Sequence, residues 1–117
     1  MPQVVFTDPE VATVGETLAQ ARGHRDVVAV EYDPANLAGA TLLDPTYRGW
    51  AQLVVEPSSR RLRGATFVGP GASELLYAAT LAITTAVDLR HLWSVVPPFP
   101  TVSEVWLRLL EAARAQL

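Results

Sequence analysis

The chain contains no cysteine and no lysine, and only two histidines in 117 residues. Without cysteine there are no disulfides, no thiolate metal ligands and no cysteine nucleophile, so any thiol redox chemistry must reside elsewhere. Without lysine, all nine basic side chains are arginine, a bias of composition that carries no function by itself. The histidines, His24 and His91, lie far apart with no cysteine or neighbouring carboxylate at ligand spacing. Solvated surface positions are expected for both, and neither a metal site nor a Ser-His-acid triad is. A net charge of −3 and a pI near 5.2 leave no positive footprint for nucleic acid or an anionic membrane. Long apolar runs are missing too. The most apolar window, residues 75–87, is interrupted by three threonines and is too short to cross a bilayer. The opening residues MPQVVFTDPE lack the basic region and apolar core of a signal peptide. A soluble, cytoplasmic protein is expected.

What is present suits one domain over residues 1–117, long enough to bury roughly two-thirds of the surface of its unfolded chain. Half the residues are hydrophobic and 18% charged, a slight apolar excess that hints at burial against a partner. QVVF reads as a short strand, and the Thr7-Asp8-Pro9-Glu10 run after it as a turn or helix start. VATVG is ambiguous, and Gly15 breaks it. ETLAQAR predicts a short helix ended by Gly23 in a left-handed cap. DVVAVEY is a strand, and DPANLAGATLLDP, with two Asp-Pro steps, an irregular connection. WAQLVVE and LRGATFVG form an expected hairpin through PSSRR, with Ala51, Leu53 and Val55 on one face, Trp50 and Val54 on the other, and both faces at least partly covered. ASELLYAATLAITTAV is a helix, apolar or small nearly all round and so expected to be buried on more than one side. DLRHLWSVV is a short helical or turn segment. SEVWLRLLEAARAQL is a final helix that docks through Trp106, Leu109, Leu110, Ala113 and Leu117. Strands first and helices last predict an α+β fold, an antiparallel sheet covered by helices.

Two motifs raise chemical questions. VGPGASE joins a strand to a helix through glycines, a geometry able to receive phosphate on free N–H groups. It lacks a full G-x-G-x-x-G and the Walker lysine, so a tight turn that packs the helix on the sheet is the favoured reading. Arg60, Arg61 and Arg63 at the hairpin are read as solvated charge. In PPFPTVSE, Thr101 and Glu104 match the T-x-x-E capping box, and Pro100 keeps Phe99 extended before it. Those local rules leave Phe99 itself unexplained.

FTDPEVATVGET at 6–17, GATFVGPGASELL at 64–76 and FPTVSE at 99–104 occur in order and span essentially the whole chain. Together they resemble the C-terminal dimerisation domain of the pyridine nucleotide-disulfide oxidoreductases, the group of dihydrolipoamide dehydrogenase, glutathione reductase and mercuric reductase. The resemblance implies an α+β domain that forms the homodimer interface of an FAD and NAD(P)H enzyme and reaches into the partner subunit's active site. It also implies a His-Pro-Thr-x-x-Glu motif, with histidine as acid/base for a flavin-proximal thiol and glutamate orienting it. The histidine falls on Phe99, while Pro100, Thr101, Ser103 and Glu104 match. A second histidine found two places earlier in some members falls on Pro97. A phenyl ring moves no proton, so no catalytic residue is expected in this chain. Phe99, Pro100, Thr101 and Glu104 are expected to line the parent's active site. Neither cofactor nor metal is expected to bind this chain itself; FAD and NAD(P)H are implied for the parent, whose dinucleotide-binding domains and redox cysteines would lie upstream. An excised domain or a separately encoded remnant is inferred.

Three functions follow. The first is an interface module that associates two copies of a flavoprotein and has no activity alone. The second makes the parent a thiol-independent reductase of a quinone or similar acceptor, with Phe99 as an apolar wall. The third is a free-standing adaptor or small-ligand domain on the same fold.

Overall fold

The computed structural model describes residues 2–6, 9–95, 97 and 101–115, the side chain of Thr41 excepted. Five antiparallel strands form one sheet in the order β1-β2-β5-β4-β3: β1 Gln3–Val5, β2 Val11–Gly15, β3 Val28–Tyr32, β4 Trp50–Glu56 and β5 Arg61–Val68. The ambiguous VATVG is thus β2, with Ala12 opposite both Val4 of β1 and Phe67 of β5. Its alternation of buried Ala12 and Val14 with half-buried Val11 and Thr13 is the period of a sheet with one face on a core. Five residues ending at a glycine were too few to show that period in sequence.

The expected hairpin is β4–β5, closed by the Arg60 N–H donating to the Pro57 carbonyl at 3.2 Å. Ala51, Leu53 and Val55 are fully buried on the face that meets the helices, and Val54 is buried too. On the opposite face the Trp50 indole and the Gln52 amide both donate to the Glu31 carboxylate at 3.1 Å.

Two helices cover the inner face. Helix α3, Ala72–Thr84, lies over β2 and β5, and α5, Val105–Arg114, over β3 and β4. They meet the sheet through one core that includes Leu75, Ala79, Leu109 and Phe67; the Phe67 and Trp106 rings stand 5.4 Å apart, tilted by 55°. Both helices are shorter than their sequence suggests. Residues 102–104 form a 3-10 turn before α5, and α3 stops at Thr84, with Ala86 already at φ 51. Leu109, Leu110 and Ala113 are buried as expected and Trp106 half so, whereas Leu117 lies outside the described residues.

Three short helices complete the chain. Helix α1, Leu18–Arg22, begins later than ETLAQAR suggests, because Thr17 is its N-cap: the Gln20 N–H donates to Thr17 Oγ1 at 3.1 Å and the Thr17 N–H to Gln20 Oε1 at 2.9 Å. Its end also differs, since Gly23 is right-handed at φ −67. The connection expected to be irregular holds a 3-10 turn at Pro34–Asn36 and helix α2, Ala38–Leu43. Helix α4, Leu89–Leu92, is capped by Asp88, which accepts from the Arg90 N–H at 2.9 Å.

Candidate functional site

The glycine turn before α3 is occupied by the protein itself. Gly71 caps α3 at φ 76, a conformation that suits glycine, and the Ser73 N–H donates to Glu10 Oε2 at 3.3 Å. A protein carboxylate therefore stands where a phosphate would be received. Tyr47 fixes the same corner: its hydroxyl donates to the Pro70 carbonyl at 2.9 Å. Burial, followed by the charges of Glu10 and Asp33, pushes its phenol up to about 12.

Helix α3 is not buried on more than one side within the chain. Ala72, Leu75, Leu76, Ala79 and Ala82 form the buried stripe, whereas Tyr77 and Leu81, one turn apart on the other side, are 77% and 52% exposed. The composition that suggested all-round burial instead produces a helix with an apolar face turned outward. Beside this face a cleft of about 250 Å³ runs between α3 and α5, lined by Leu75, Ala78, Leu92, Val95, Trp106 and Leu110 among others.

The turn at 101–104 is the second feature. Thr101 is its N-cap at φ −136, ψ 162, and the Glu104 N–H donates to the Thr101 carbonyl at 3.2 Å. The expected reciprocal capping box is not formed: no side-chain cap hydrogen bond is made at the 3-10 turn or at α5. The tighter 3-10 turn directs the Glu104 N–H to a backbone oxygen, and the Glu104 side chain goes inward. Glu104 is 7% exposed, and its Oε1 has no hydrogen-bond partner among the described residues. Thr101 and Glu104 thus share one turn, while Phe99 and Pro100 lie outside the described residues.

Several other charged groups pair with one another. Arg60, read as solvated, pairs with Asp88 at 3.1 Å, and Arg63 with Glu56 at 2.7 Å. His24 is exposed but lies 3.3 Å from Glu16, a carboxylate that sequence spacing did not suggest. Among the described residues no three His, Cys, Asp or Glu side chains gather as a metal-binding group, and no helix is long and apolar enough to cross a membrane.

The family model described as the pyridine nucleotide-disulphide oxidoreductase dimerisation domain matches residues 1–110. The chain belongs to this family. Dihydrolipoyl dehydrogenase of Halobacterium salinarum is 38% identical to this dimerisation domain over 97% of the chain, and mercuric reductase of Acidithiobacillus ferrooxidans 40% identical over 89%. The chain spans 24% and 19% of the lengths of those two relatives. Among solved structures, the HOCl-induced flavoprotein disulfide reductase RclA from Escherichia coli superposes with a TM-score of 0.88 at 24% identity, covering 95% of this chain and 26% of that one. LpdA from Mycobacterium tuberculosis superposes at 0.85 and 23% identity, covering 100% of this chain and 25% of that one. These two likenesses bear on the fold, an α+β sheet with helices. At the glycine turn before α3, Glu10 takes the Ser73 N–H that a phosphate would otherwise receive.

Proposed function

We propose that this chain is the homodimerisation domain of an FAD- and NAD(P)H-dependent oxidoreductase and has no catalytic activity by itself. The observation that carries this reading is the outward apolar face of α3, with Tyr77 and Leu81 exposed opposite a fully used buried stripe. Single exposed apolar residues are ordinary on soluble proteins, but neighbouring ones on one helix face are the start of a patch that a partner can cover. A second copy related by a two-fold axis would cover it with the same surface. The membership of the family and the short share of its relatives' lengths support a place beside FAD- and NAD(P)H-binding domains. Light scattering over a concentration series tests the reading: a mass near twice 12.7 kDa is expected, and a monomer at every concentration would overturn it.

Within that assembly, the turn at 101–104 and the preceding Phe99 and Pro100 line the active site of the partner. Phe99 stands at the position of the acid/base histidine, and Glu104, the residue that would orient an imidazole, has an oxygen without a donor among the described residues. Together they favour a parent that passes electrons to a quinone or similar acceptor without thiol exchange. Restoring Phe99→His in a flavin-containing parent should leave acceptor reduction in place and produce no dithiol activity. A gain of dithiol activity would show that the rest of the thiol machinery is present.

A further inference from the structure

We infer that Gly39, at the second position of α2, is a positioning residue for the turn at 101–104. A Cβ on Gly39 would have the backbone N of Thr101 at 2.5 Å and the Thr101 Cα and carbonyl carbon closer still. The obstruction is main chain, which cannot swing aside as the end of a flexible side chain can. Nor can α2 retreat, because Leu37 and Ala40 on either side of Gly39 are buried in the core. The turn is held at its other end by buried Glu104 and Val105. The missing methyl group therefore sets the distance between two anchored segments, α2 and the turn at 101–104. Local preference argues the other way: between Ala38 and Ala40 an alanine would favour the helix over glycine. Its functional weight rests on the reading above, in which this turn lines the partner's active site.

Amide hydrogen exchange on the full chain tests the inference, with Gly39→Ala compared against Ala40→Gly, which loosens the same helix without adding an atom toward Thr101. Gly39→Ala is expected to speed exchange of the Glu104 amide roughly tenfold or more beyond any global change, a local opening, whereas Ala40→Gly moves local and global exchange together. Equal behaviour of the two variants at Glu104 would overturn the inference. If Gly39→Ala is too unstable in buffer, the comparison is made in an osmolyte that favours the folded state, with the same two outcomes. Expression of the complete reading frame judges the flavoprotein reading separately. A protein that binds no flavin would overturn that reading and leave the exchange result standing.

Discussion

A carboxylate oxygen withdrawn from water without a donor costs free energy, on the order of 1–3 kcal/mol or more when charged. Among the described residues Glu104 Oε1 is in that position, in a turn anchored by its own backbone hydrogen bond. Glu104→Met keeps comparable bulk and removes the polar group, so it should raise the urea midpoint of the domain, by about 1 kcal/mol in stability or more. A lowered midpoint would mean that the carboxylate finds a donor in solution. Gly71 gives a contrasting case, because its φ of 76 is a conformation that an L side chain resists. Gly71→Ala should lower the thermal midpoint, with a cost on the order of 1 kcal/mol. An unchanged midpoint would show that the α3 N-terminus relaxes without strain.

Among the elements, the β4–β5 hairpin carries a titratable lock. The Ser59 hydroxyl and then the Arg63 guanidinium hold the Glu56 carboxyl down to about 2 from an ordinary 4.5. A folded-state pKa below the unfolded one means that the folded state favours the ionised form. The resulting stability is present above pH 4.5 and is lost as pH falls through about 2. The denaturation midpoint should therefore drop over that window, and Glu56→Gln should flatten the drop; an equally steep fall in the variant would assign it to other carboxylates. How much of such local chemistry was legible depended on what decides each element. The hairpin, α3 and α5 were readable because their apolar periods run over many residues. The two capping candidates divide instructively: Thr17 and Gln20 form a full box, whereas Thr101 and Glu104, a closer match to the pattern, do not. Packing of the Glu104 side chain into the interior overrides the local preference. Helix α2 was hidden because Asp-Pro steps flank it, and it is anchored by buried Leu37 and Ala40, which sequence spacing does not reveal.

For the molecule as a whole, the order of strands and helices already implied an α+β sheet, and the three motifs in register implied the dimerisation domain. The direction of the apolar faces was not legible. A helix that is apolar nearly all round can be buried by its own chain or by another, and only the fold shows that the sheet covers one side of α3 and leaves Tyr77 and Leu81 outside. A second copy is the occupant that the family membership supports. Sedimentation equilibrium of the chain and of Leu81→Glu tests this directly, with circular dichroism to confirm that the variant folds. The wild-type chain is predicted to sediment as a dimer and the folded variant as a monomer, since the new carboxylate would be buried in an apolar contact. A folded Leu81→Glu variant that dimerises as tightly as the wild type would contradict the account.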